Sequence, residues 1–137
     1  MGYYIETTDI DFTIPTDKLA EAYTILCELN SHNDLKSGGS YGANGKTAWW
    51  FAWMPENYPE TCADAQAIFQ ELGFETELTD TGLSLLQYDS KAGSEDIFIN
   101  AVGHLVSPDS FIEWLGEDGA RTRWTPARTQ NGSIIWN

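Results

Sequence analysis

Positive charge is scarce in this chain. Seven Lys and Arg stand against 21 Asp and Glu in 137 residues, a formal charge of -14. Residues 1–120 carry every acid and four lysines, whereas residues 121–137 carry only Arg121, Arg123 and Arg128. A body of that sign repels phosphate backbones and anionic membranes, so neither is expected as a direct partner. Cysteine is nearly absent: Cys27 and Cys62 are the only two. Two lone thiols make no disulfide framework, and a cytoplasmic protein with reduced cysteines is expected, both thiols lying in helices. Histidine is equally rare, and neither His32 nor His104 has a Cys or His at zinc-ligand spacing. No metal and no cofactor are expected. Long apolar runs are missing too, none approaching the ~18 residues of a membrane span. The opening MGYYIETTDID lacks the basic segment and apolar core of a secretory leader. It also carries Glu6 where a myristoylation signal needs Ser or Thr.

Aromatic residues are plentiful, with six Trp, six Tyr and six Phe within a hydrophobic fraction of 42%. That suffices for a core, and the length fits a single domain over residues 1–137. Over 3–14, Ile10, Phe12 and Ile14 alternate with Asp9, Asp11 and Thr13, the period of a strand with one wet face. Pro15 ends it, and Thr16 is placed to cap a helix over about 17–30. Residues 31–46 are polar and glycine-rich and predict a mobile loop. The run TAWWFAWMP predicts a strand over 47–53. A second helix is expected from Thr61, with Asp64 completing a capping box, the stripe Ala65, Ile68, Phe69 and Leu72, and Gly73 as its stop. Strands over 74–78 and 83–88 follow, then a helix capped by Ser94 with Ile97, Phe98, Ala101, Val102 and Leu105 along its apolar side.

The C-terminal part predicts a meander. A three-residue loop with Gly119 in the left-handed position sets Glu113 against Arg123, Trp114 against Thr122 and Ile112 against Trp124. This register segregates apolar from charged residues by face, which a two-residue loop does not. Ser133–Trp136 is expected to close the sheet. The architecture implied is α+β: a single largely antiparallel sheet, about three helices packed mainly on one face, and a C-terminal β-meander.

Most motifs have a plain structural explanation. Gly39–Thr47 resembles a phosphate loop, but its spacer is one residue too long and it opens an aromatic strand instead of a helix. The acid pairs Asp9/Asp11, Glu75/Glu77 and Glu95/Asp96 offer no third metal ligand and read as solvated faces. Cys27 is followed by Glu28 and Cys62 lies near Asp64, settings that do not favour a thiolate nucleophile.

Met1-Gly-Tyr-Tyr4, Asp11-Phe-Thr-Ile-Pro15, Leu29-Asn30, Trp50-Phe-Ala-Trp-Met-Pro-Glu56, Glu113–Ala120 and Trp124 together give the chain a recognisable pattern. In these segments it resembles small uncharacterised accessory proteins of actinobacterial phages. The resemblance carries no activity and no site residue. It implies an accessory role in an infected cell, such as altering a host protein or blunting a defence system.

The leading expectation is a non-enzymatic binding protein that engages a basic host or defence protein. Asp9 and Asp11 steer the encounter, and exposed Trp50 and Tyr58 anchor it. The alternative is a small-molecule or nucleotide pocket, in a sequestering protein or an enzyme. There the 37–46 loop acts as a lid, Trp49 and Trp53 stack on the ligand, and Arg121 and Arg123 hold its anionic groups. A homodimer through an edge strand or the aromatic patch is the third expectation.

Overall fold

The computed structural model describes residues 4–32, 38–42, 45–51, 54–55, 57–91 and 95–126; for 38–42, 45–50 and Lys91 the description is of the backbone. Its strands are β1 (Tyr4–Asp11), β2 (Thr13–Pro15), β3 (Gly38–Gly42), β4 (Gly45–Trp50), β5 (Phe74–Leu78), β6 (Gly82–Lys91), β7 (Phe111–Gly116) and β8 (Arg121–Trp124). Its helices are α1 (Leu19–Glu28), α2 (Tyr58–Thr61), α3 (Ala65–Leu72) and α4 (Glu95–Val102). Six strands form one antiparallel sheet in the order β2-β6-β1-β7-β8, with β5 also on β6. The fold is therefore α+β, with β1 at the centre of the sheet. Among the described residues no helix is long and apolar enough to cross a membrane.

The alternation read in residues 9–14 holds: Phe12 and Ile14 are buried and Asp9 and Asp11 exposed. The segment is nonetheless two strands. Glu6 pairs with Asp89 and Thr13 with Ser84, so residues 7–12 face the shorter run 85–88. The surplus lets β1 swing across to β7, with a bulge at Thr8 between the Thr7–Trp114 and Asp9–Glu113 pairs. The gap in the β6 ladder is bridged by the Tyr88 N–H donating to Thr7 Oγ1 (3.1 Å) and the Leu85 N–H to the Phe12 carbonyl (3.0 Å). The meander register is the expected one throughout: Ile112–Trp124, Glu113–Arg123 and Trp114–Thr122, with Gly119 at φ +87°. The expected strand over 133–136 lies outside the described residues, as does the Ser94 cap.

The helices lie on the sheet's inner face. Gln66 and Gln70 of α3 both donate to Thr76 Oγ1 of β5 (3.1 Å each). At the other end Asn100 of α4 accepts from Trp124 Nε1 of β8 (2.8 Å). Between them α1 contacts both α3 and α4. The core holds a band of rings, Phe69, Phe74, Tyr88 and Trp114 in one group and Phe51, Tyr58 and Phe98 in another. Burial of each such side chain contributes roughly 1.5–3 kcal/mol.

Five sequence expectations are corrected. The 31–46 stretch is not simply a loop: Gly38–Gly42 is a strand that pairs with Gly45–Trp50 in a separate two-stranded sheet. The aromatic strand accordingly covers 45–50 instead of 47–53, and Trp53 lies outside the described residues. Asp64, not Thr61, caps the second long helix, accepting from the Ala67 N–H at 2.8 Å, and Thr61 ends α2. Cys62 follows α2 in extended conformation, so only Cys27 is helical. Thr16 makes no cap bond; its hydroxyl donates to the Asp80 carbonyl (3.3 Å) and ties the start of the helical segment to the β5–β6 turn.

Candidate functional site on the open sheet face

The face of the sheet away from the helices is built by the same alternation that builds the core. Where Ile112, Tyr88 and Phe74 point inward, their strand neighbours point out. The outward set comprises Glu6, Asp9 and Asp11 from β1, Asp89 from β6, Glu113 from β7, and Glu75 and Glu77 from β5. All are exposed except the half-buried Glu113. Register sets Glu6 beside Asp89 and Asp9 beside Glu113. Strands lie about 4.8 Å apart and same-face residues about 6.6 Å along a strand, so adjacent carboxylates are spaced by roughly 5–7 Å. Such crowding is tolerable because water screens each pair to about 1 kcal/mol or less.

Among the side chains described, only those of β8 answer with positive charge; Lys91 ends β6, and its side chain lies outside the description. Arg123 Nη1 donates to Glu113 Oε2 at 2.7 Å, and its guanidinium stacks 4.3 Å above the Phe111 ring. Arg121 makes no ion pair among the described residues. The two arginines share a shallow hollow of about 200 Å³ with Thr8, Glu113, Trp114 and Thr122. Asp9 accepts a hydrogen bond from the Ile10 N–H (2.9 Å), which fixes its carboxylate beside the bulge.

The structure thus brings Asp9 and Asp11 onto one face with Glu113, Arg121 and Arg123. It does not bring Tyr58 there. Tyr58 is fully buried, its ring packed on Phe51 and Phe98 and its hydroxyl donating to the Leu26 carbonyl at 2.5 Å. It is a bolt between α2 and α1, held by those two rings and by the Leu26 carbonyl. Trp49 and Trp50 lie on β4, in the separate hairpin, and their side chains fall outside the description. The 37–46 segment expected as a lid is largely that hairpin. The residues that sequence reading did not assign to the site are Glu6, Asp89, Glu75, Glu77 and Glu113. The Glu75/Glu77 alternation was visible; that it shares a face with Asp9 depends on strand order.

Cys62 is buried, and burial pushes its thiol up from its ordinary value of 9.0. Desolvation likewise holds the Tyr58 phenol above its ordinary 10.0. Both groups are neutral when folded, so they stabilise the fold below their unfolded values and lose that contribution as pH rises. The urea midpoint is expected to stay level up to about pH 8.5 and to fall above about pH 9–10. In the native protein Cys62 should also react with a thiol reagent far more slowly than half-exposed Cys27. A midpoint unchanged at high pH contradicts this assignment.

On the helix side a separate cleft of about 250 Å³ opens between α1 and α3. Leu19, Tyr23, Ala65, Gln66, Leu78 and Leu83 are among its walls. The Tyr23 hydroxyl, donating to the carbonyls of Cys62 (2.7 Å) and Pro59 (3.1 Å), fixes the chain between α2 and α3. Among the described residues no three His, Cys, Asp or Glu side chains stand together as a metal site. No family model, curated protein or solved structure matches the chain.

Proposed function

We propose that this is a small acidic, non-enzymatic binding protein whose open sheet face docks a basic surface of another protein. In keeping with the sequence resemblance, the partner is a host or defence protein, and the chain is a phage accessory factor acting in the cytoplasm of the infected cell. The observation that carries the reading is the outward face itself: among the side chains described, seven carboxylates from four strands stand against two arginines, one of them already paired. A field of one sign on a rigid sheet accelerates encounter with a basic partner and fixes its orientation. The aromatic anchor expected at Tyr58 is not part of this reading, and half-buried Phe111 takes the place of an apolar contact beside the acids.

The rival reading, a ligand pocket, has the hollow beside Arg121 in its favour. Arg123 is already committed to Glu113 and Phe111 there, which leaves one cation to hold an anion.

The test is capture from host lysate on immobilised protein at about 0.05 M and about 0.5 M salt. A basic protein retained at low salt and released at high salt is expected. The variant Glu6→Gln/Asp9→Asn/Asp11→Asn should retain it about tenfold less, chiefly through slower association. If no basic protein is recovered at either salt, the reading fails. Quenching of tryptophan fluorescence by one member of a nucleotide panel turns the argument to the hollow.

A further inference from the structure

We infer that the outer edge of β5 is a strand-addition site for an extended segment of a partner protein in which basic residues alternate with apolar ones. This rests on the reading that the partner is basic, and adds where and in what conformation it binds.

Among the described residues β5 pairs with β6 alone, and Phe74–Leu78 have no backbone hydrogen bond on their other side. Such an edge is a template for another strand unless it is blocked. The devices that block edges are a very short strand, charged side chains, proline, a bulge or a cover. The sequence Phe-Glu-Thr-Glu-Leu has neither lysine nor proline, its two glutamates repel acidic strands and not basic ones, and the extra residue opposite Glu75–Thr76, Leu86, belongs to β6.

The side chains define what fits. Glu75 and Glu77 alternate on the open face, exposed and without an ion pair among the described residues. An added strand places its own outward residues about 4.8 Å away, where Lys or Arg pairs with both. On the inner side Leu78 is 59% exposed, the most exposed of the large hydrophobics among the described residues. It also forms one wall of the apolar cleft between α1 and α3. Apolar residues of the incoming segment cover Leu78, and the one beyond the end of the strand reaches the cleft. Backbone pairing supplies affinity, and alternate side chains supply selectivity.

A second copy of this chain is the wrong occupant. Antiparallel pairing of two β5 strands about Thr76 sets Glu75 against Glu77 on both sides of the symmetry axis. It also joins two bodies of charge -14. Like charges directly opposite each other oppose pairing. The edge therefore excludes itself and admits a basic strand.

The probe is a fluorescein-labelled, end-capped peptide of four Lys-Val repeats, titrated with the full-length protein. Its control has the same composition in two blocks, four lysines then four valines. The alternating peptide is expected to bind about tenfold more tightly than the block peptide. It should slow amide exchange in Phe74–Leu78. Glu75→Lys/Glu77→Lys should lose it by about tenfold and gain a Glu-Val repeat peptide, while Asp96→Asn/Asp109→Asn, at exposed acids outside the sheet face, leaves it within about twofold. Glu75→Gln/Glu77→Gln, the milder change, should fall between, and circular dichroism checks that each variant is folded. Equal binding of the two peptides, no binding of the alternating one, or protection on β1 and β7 in place of β5 each overturns the edge site. Lysate capture that still depends on Asp9 and Asp11 then leaves the acidic-face reading intact. Loss of that capture with strand binding retained removes the face reading alone.

Discussion

Tyr58→Ala should cost the fold roughly 3–5 kcal/mol, the usual range for deleting a buried aromatic side chain. For a domain of this size that lowers the melting temperature by roughly 10–20 °C, out of a total stability of about 5–15 kcal/mol. Three contributions disappear together. The ring contacts with Phe51 and Phe98, at centroid separations of 6.3 and 5.6 Å, are lost. The fully buried volume becomes a cavity. The hydroxyl that ties α2 to the Leu26 carbonyl is gone. Tyr58→Phe keeps the first two and removes the third, so it should cost about 1 kcal/mol. Tyr4→Ala, at a tyrosine that is 50% exposed, should fall within about 0.5 kcal/mol of wild type. Urea unfolding of the three variants checks the order. A surface anchor would behave in the opposite way, with stability unchanged and binding lost, so wild-type stability for Tyr58→Ala contradicts its assignment to the core.

Gly82→Ala is expected to be nearly as damaging, although it adds one methyl group. Gly82 has φ +150°, and a Cβ built there would lie 2.0 Å from the Ile14 carbonyl oxygen and 3.0 Å from Pro15 Cα. Those atoms belong to β2, which pairs with β6 through Pro15–Gly82 and Ile14–Leu83. The methyl group must therefore push β2 off the sheet or unwind the turn in which the Thr79 N–H donates to the Gly82 carbonyl at 2.8 Å. Backbone strain of about 1–3 kcal/mol adds to a packing cost of about 1–3 kcal/mol. Gly119→Ala provides the control. There φ is +87° and nothing lies within 4 Å of the added atom, so the conformational cost alone remains, about 1–2 kcal/mol. Equal shifts of the urea midpoint for the two variants contradict the close approach at Gly82.

How far the sequence could be read depended on how locally each feature is encoded. The β7–β8 register is legible because a single choice of loop length decides whether Glu113 meets Arg123 or Trp114 does, and only one choice keeps charge off the apolar side. α3 is legible for the same reason: its stripe, the Asp64 side chain and Gly73 lie within ten residues of one another. β3 is not legible, because Gly38, Gly39 and Gly42 carry no apolar alternation, and pairing with β4 decides its state. Tyr58 misleads because Asn57-Tyr58-Pro59 has the composition of a turn, whereas its burial comes from tertiary packing against Phe51 and against Phe98, 40 residues on. Half of the candidate site follows this division. Asp9 and Asp11 show their common face through period two. Their company with Glu113, with Asp89 on β6 and with the β5 pair follows from placing β1 at the centre, which no local pattern specifies.

That central position has a price in time. The contacts of β1 reach across the whole chain: the Tyr88 N–H to the Thr7 hydroxyl spans 81 residues, and the Tyr4 N–H to Glu117 Oε1 spans 113. Pairings this distant close slowly. During synthesis the first strand emerges from the ribosome long before either neighbour exists. Its apolar side, Ile5 and Ile10, must wait in water, and the alternating Glu6, Asp9 and Asp11 then keep the nascent segment from sticking to others like it. The carboxylates that dress the finished sheet thus protect the unfinished one.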